Sequence, residues 1–105
     1  MIRLVLNIME DYVYYNELYD IYGNLLTDKQ REYFEDYYFN DLSFSEMAED
    51  YDISRNATFK QVHIVCEKLD EYESKLKLYE KRNELLKISS RIEDEKLKER
   101  LENLI

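Results

Sequence analysis

The chain has no proline, no tryptophan and a single glycine, so almost nothing in it breaks a helix, and an all-α fold is expected. One glycine, Gly23, also excludes a glycine-rich phosphate loop, and no serine sits in a nucleophile elbow. The lone Cys66 cannot close an internal disulfide; in a strongly helical stretch it reads as a small buried thiol in a reducing, cytoplasmic setting. No apolar run approaches the roughly 18 residues of a membrane span, and the opening MIRLVLNIM meets Glu10 and Asp11, so neither membrane insertion nor a secretion signal is expected. His63 and Cys66 stand three apart, a spacing that presents two metal ligands, but the chain has no other His or Cys to complete a zinc site. No metal and no cofactor are expected. Acidic pairs such as Glu35-Asp36 and Glu49-Asp50 read as solvated faces rather than acid–base groups, which need a pocket that shifts their pKa, and enzymatic activity is not expected.

Basic charge is scarce in the first half. Residues 1–53 carry three basic groups against thirteen acidic ones, whereas residues 54–105 carry twelve against eleven; the whole chain has net charge −9. The first half repels polyanions. With 105 residues, of which 45% are hydrophobic, the chain is long enough for one core and too short for two.

Apolar periodicity sets out the helices. Ile8, Tyr12, Tyr15, Tyr19 and Tyr22 recur at steps of three and four, one stripe of a helix that Gly23 is placed to end with a left-handed cap. Thr27 with Gln30 forms a capping box for a second helix over 28–39 that buries Phe34, Tyr37 and Tyr38. Ser43 with Glu46 forms another, Leu42 with Met47 has staple spacing, and this short third helix must stop near Tyr51, because Ser54 is again a good N-cap. From Thr58 the residues Val62, Val65, Leu69, Tyr72, Leu76 and Tyr79 keep heptad spacing. A helix unbroken from Ser54 to Lys87 would be roughly 50 Å long. It either bends near Asp70 or projects as an arm that pairs with a second copy. A last helix follows Ser89-Ser90, with Ile92, Leu97, Leu101 and Leu104 on its apolar side. The eleven tyrosines fit an amphipathic core whose hydroxyls reach the rim.

The segment LSFSEMAEDYDISRNATF, residues 42–59, has the spacing of a helix-turn-helix. Ala48 is the small residue at the crossing, Met47, Tyr51 and Ile53 lock the angle, and Thr58 and Val62 face inward on the next helix. Asp52 stands where many such turns have glycine, and it is among the few other residues that tolerate a positive φ. Arg55, Asn56, Phe59, Lys60 and His63 then share the outward face, Arg and Asn being the types suited to guanine and adenine edges. Glu46, Glu49, Asp50 and Asp52 stand beside them. A monomer offers two certain cations, Arg55 and Lys60, where strong DNA binders make on the order of 6 to 10 phosphate contacts.

The stretch from Leu18 to Phe59, LYDIYGNLLTDKQREYFEDYYFNDLSFSEMAEDYDISRNATF, followed by KLDEYESKLKLYEK, resembles the YlxM family of small bacterial helix-turn-helix proteins over about residues 18–81. The resemblance implies a fold like region 4 of bacterial sigma factors and a DNA-binding, regulatory role linked to the signal recognition particle pathway. The family motif ends in a basic pair, which here falls at His63 and Ile64; Ser54 and Arg55 are kept. The expectation is therefore an all-α protein with a helix-turn-helix domain at 1–69 (motif about 43–69) and a long C-terminal helical arm at 70–105 that joins two copies as a homodimer. Its expected partners are double-stranded DNA, read by Arg55, Asn56, Phe59, Lys60 and His63, and components of the signal recognition particle. The rival reading is an adaptor that binds protein or RNA components of that particle and never reads DNA.

Overall fold

A computed structural model describes the backbone of residues 2–105 and the side chains of residues 11–105. Six helices follow one another among the described residues: α1 (Ile2–Tyr22), α2 (Asp28–Tyr38), α3 (Phe44–Tyr51), α4 (Arg55–Leu76), α5 (Leu78–Ser89) and α6 (Glu95–Glu102), with a 3-10 turn at Gly23–Leu25. No strand occurs among the described residues. Helix α4 is the spine: α1, α2 and α3 all pack on it, and α5 turns back onto α1.

The core forms where the tyrosine-rich stripe of α1 meets the heptad positions of α4. Leu18, Tyr22, Phe34, Met47, Val65 and Leu69 are fully or almost fully buried, and Tyr19, Tyr33, Tyr38 and Val62 complete the cluster. Tyr19, Phe34 and Tyr38 stack face to face at centroid distances of 4.3 Å, so two helices share one aromatic column. Ile8, the first residue of the expected stripe, lies outside the described side chains. The tyrosine hydroxyls end on carboxylates at the edge of the core: Tyr15 donates to Asp70, Tyr19 to Glu35, Tyr22 to Glu73 and Tyr51 to Asp36, at 2.5–2.8 Å. Two of these acceptors, Glu35 and Asp36, lie in the acidic first half, and two, Asp70 and Glu73, on α4.

Both capping boxes form, at Thr27/Gln30 and Ser43/Glu46, with each side chain satisfying the other residue's backbone N–H. Gly23 departs from expectation. It is not left-handed; the only positive φ values belong to Asp41, Asp52 and Lys77 among the described residues. Gly23 continues as a 3-10 turn, buried beneath Tyr19, where a Cβ would come within 3.3 Å of the ring. Close approach rather than turn conformation makes glycine fit there. Helix α2 stops one residue short of Phe39, which stays half-exposed but presses edge-on against Tyr19 and Phe34. Tyr37 is half-buried, and Tyr33 takes a core place instead.

Helix α4 neither bends near Asp70 nor runs on as one rod. It ends at Leu76, Lys77 turns left-handed with φ +55°, and α5 folds back. Glu73 and Tyr22 cause the break. The Glu73 carboxylate accepts from the backbone N–H groups of Tyr79 and Glu80, and the Tyr22 hydroxyl accepts from that of Leu78 while donating to Glu73. These side chains satisfy three of the N–H groups that open a helix. Arg82 then pairs with Glu17 and Asp20, and Tyr79 meets Tyr14 edge-to-face, fixing α5 on α1. In α4, Thr58, Val62, Val65 and Leu69 are buried within the chain's own core, so this part of the heptad stripe is not open to a second copy; Leu76 lies exposed. The last helix begins later than Ser90, at Glu95, because Asp94 caps it, and Leu97 and Leu104 remain exposed.

Candidate nucleic-acid interface

The geometry of the α3–α4 unit starts with its turn. At the end of α3 the Ile53 N–H bonds back to the Ala48 carbonyl at 3.1 Å and the Asp52 N–H to Glu49 at 3.4 Å, with Asp52 left-handed at φ +54°. These are the two bonds of a Schellman ending, and they turn the chain without glycine. Ser54 caps α4 at once, its hydroxyl accepting from the Ala57 N–H. Only Ile53 and Ser54 separate the left-handed residue from the next helix, so a tight turn joins α3 to α4.

Thr58 ties α4 to the start of α3. It is fully buried, and its hydroxyl lies 3.0 Å from the Phe44 carbonyl at the start of α3 and 2.7 Å from that of Arg55 in its own helix. Met47 below and Val62 beside it supply the apolar contact, and Tyr51 closes the end by donating to Asp36 of α2. Helices α2, α3 and α4 therefore form a tri-helical unit.

All five residues expected on the outward face of α4 are exposed: Arg55, Asn56, Phe59, Lys60 and His63. Phe59 is 51% exposed, a large share for a phenylalanine. Its ring stands edge-on to Phe44 at 5.4 Å and lies parallel to His63 at 6.1 Å. The Arg55 guanidinium lies 6.0 Å over the Phe44 ring, and His63 pairs with Glu67 at 2.9 Å. Helix α4 also differs from α2, α3, α5 and α6 in its first turn: each of those carries an acidic residue there, and α4 carries none and begins with Arg55. A cation at a helix N-terminus opposes the macrodipole, so the placement does nothing for the helix itself.

Four carboxylates flank this face, since Glu46, Glu49, Asp50 and Asp52 are all exposed. Two contributors escape a reading of the α4 face alone. Phe44 props both Phe59 and Arg55, and Lys29 of α2 sits 4.3 Å over the Tyr51 ring at the end of α3. Phe44 shares the α3 capping segment and was legible as an aromatic beside Ser43; Lys29 has no local signal, because its nearness to α3 depends on helix packing. His63 and Cys66 point apart: the first is exposed on Glu67, and the second is buried with its sulfur 3.5 Å from the Tyr38 hydroxyl. Among the described residues no cluster of three or more His, Cys, Asp or Glu side chains is arranged to hold a metal, and no helix is long and apolar enough to cross a membrane.

A short helix joined by a left-handed turn to a longer one that presents an exposed face, with a third helix bracing both, defines a helix-turn-helix protein. The chain belongs to the family described as "Putative helix-turn-helix protein, YlxM / p13 like", whose model matches residues 9–105. The match reaches beyond the block at 18–81 and takes in α5 and α6. Among its relatives, a UPF0122 protein of Caldanaerobacter subterraneus is 44% identical over 81% of this chain and 73% of its own length. One from Ureaplasma parvum is 45% identical over 83% of this chain and 88% of its own, and one from Fusobacterium nucleatum 37% identical over 93% and 95%.

Proposed function

We propose that the α3–α4 unit binds double-stranded DNA, with α4 entering the major groove and Arg55, Asn56, Phe59, Lys60 and His63 as its reading face. The observation that carries this reading is the outward face of α4: five exposed side chains of base- and phosphate-reading type on one side of a helix whose first turn holds Arg55 and no acid. Ser54 and the Asp52 turn hold that first turn rigidly. The family resemblance extends the proposal to a regulatory role in the cytoplasm, linked to the signal recognition particle pathway.

The few cations set the expected strength. With Arg55 and Lys60 as firm phosphate contacts, log affinity falls with log salt at a slope of about −2 per copy. A titration of random duplex DNA at about 50 and about 200 mM salt measures it, and Arg55→Ala or Lys60→Ala each flattens the slope by about 1. Absence of binding at the lower salt, by protein whose circular dichroism shows it folded, sinks the proposal. The adaptor reading then takes its place. It draws on a specific observation, the exposed Glu46, Glu49, Asp50 and Asp52 beside the same face, which repel a phosphate backbone and suit a basic protein partner.

A further inference from the structure

Much of the stripe on α4 that the sequence offers to a second copy is buried in the chain's own core, so a pairing surface has to be sought elsewhere. Of the fourteen large apolar residues left exposed among those described, eight fall between Leu76 and Ile105. Scattered exposed leucines are ordinary, but these cluster. Leu78 and Leu85, seven apart on α5, line a groove of about 460 Å³ together with Ile21 of α1, Leu104 and Ile105. Leu104 is 81% exposed.

We propose that a second copy of this chain docks on this groove, α5 against α5 about a two-fold axis. Charge selects the occupant. Residues 78–105 carry seven basic and seven acidic groups, so the whole net charge of −9 resides in residues 1–77. A second copy approaching through the acidic first half, residues 1–53, brings like charge against like; at α5–α6 it meets a neutral face. A strongly basic or acidic partner gains no attraction there. The rim is self-complementary as well. Asp20 and Lys81 both line the groove, and Asp20, though it holds Arg82 of its own chain at 3.3 Å, keeps 77% of its side chain exposed, so a two-fold pairing brings the lysine of each copy toward the aspartate of the other. A groove that carries both halves of an ion pair at its edge suits a copy of itself.

The inference does not rest on the DNA reading, since the mass of the protein is measured with no nucleic acid present. Sedimentation equilibrium of the full chain from about 1 to about 200 µM, a range set by the modest size of the face, should approach twice 13.0 kDa. Leu104→Glu and Leu85→Glu place a charge at the centre of the contact, and each should hold the chain at 13.0 kDa across the range while circular dichroism stays unchanged. Leu104→Glu is the safer of the two, because the folded monomer scarcely uses that side chain. Lys81→Glu should weaken the dimer several-fold, and Leu25→Glu, at an exposed leucine outside the face, should leave it intact. A wild-type chain that stays monomeric at the highest concentration overturns the proposal. So does a Leu104→Glu chain that dimerises like the wild type, or a Leu25→Glu chain that does not dimerise.

Discussion

The chain leaves a helix through a left-handed residue at Asp52 and again at Lys77, with nearly the same φ, +54° and +55°, and by opposite means. At the first junction everything needed lies within a few residues: the Schellman bonds to Ala48 and Glu49, an aspartate that tolerates the conformation, and Ser54 to start the next helix. At the second, lysine has no local excuse for a positive φ, and no cap stands beside it. The partners come from far along the chain or from an unusual reach backward: Tyr22, fifty-six residues from Leu78, and Glu73, six and seven residues before the amides it caps. A turn can be written into the sequence at the turn, or imposed by the core beneath it. The first kind suits a rigid helix pair. The second makes the placement of α5 depend on the integrity of α1.

Removing the ring at the imposed junction should separate the two most sharply. Tyr22→Ala deletes a fully buried aromatic together with the hydroxyl that holds Leu78 and Glu73, and should cost about 3–5 kcal/mol in urea unfolding. Amide exchange should become fast first at Leu78, Tyr79 and Glu80, and later in α3. Equal loss of protection at both junctions would mean that they fold as one unit and that the contrast is false.

Alkali titrates the core between the junctions together with one tyrosine at each. Burial pushes the Cys66 thiol up from 9.0 to about 11, with Asp70 and Asp11 adding to it and the Tyr38 hydroxyl opposing. Burial and the bond to Asp36 raise Tyr51 above its ordinary 10.0, and burial and the bond to Glu73 do the same for Tyr22. Each group holds its proton more tightly folded than unfolded. Its contribution is therefore complete below the unfolded value and lost as pH rises through the folded one. The urea midpoint should hold up to pH 9 and then fall, with Cys66 accounting for about 2–3 kcal/mol by pH 11. In Cys66→Ala the decline should start about one unit later, when the tyrosines begin to titrate.

Caps sharpen the comparison at lower cost. Tyr22→Phe keeps the ring and removes only the hydroxyl, leaving the Leu78 N–H without that partner, and should cost about 1–3 kcal/mol. Ser54→Ala at the written junction should cost about 1 kcal/mol, since it loses one N-cap bond that water can replace. Far-UV circular dichroism with urea titration gives both values. A larger loss at Ser54 than at Tyr22 would invert the assignment of local and imposed.

The same division explains what could be read before the fold was known. The helix boundaries that the sequence predicts well are those with their signal at hand: Thr27 with Gln30, Ser43 with Glu46, and the Tyr51-to-Ser54 turn. The α4 stripe through Leu69 was legible because burial there follows heptad spacing. The break at Lys77 was not, since its causes are a tyrosine on another helix and Glu73, whose carboxylate reaches forward six and seven residues, and neither is a local cap signal beside the turn. Gly23 misled for a related reason. A glycine after a helical stripe reads as a left-handed cap, and here the selecting pressure is the Tyr19 ring lying over it. The candidate face was legible as a set of five exposed side chains and Phe44 as an aromatic beside Ser43, but the place of Lys29 over Tyr51 became visible only once α2 was packed on the unit.

The smallest expected effect isolates the backbone itself. A left-handed lysine carries a steric penalty that glycine lacks, whereas aspartate visits that region more readily. Glycine also widens the unfolded ensemble, which offsets part of any gain. Lys77→Gly should therefore stabilise the chain by about 0.5–1 kcal/mol, and Asp52→Gly should change it by roughly 0.3 kcal/mol or less in either direction. The two substitutions remove the same Cβ at the same φ, so their difference reports how far each residue was chosen for its turn. If Asp52→Gly gains as much as Lys77→Gly, aspartate is as foreign to its turn as lysine, and the first junction too must be held by the core rather than by its own residues.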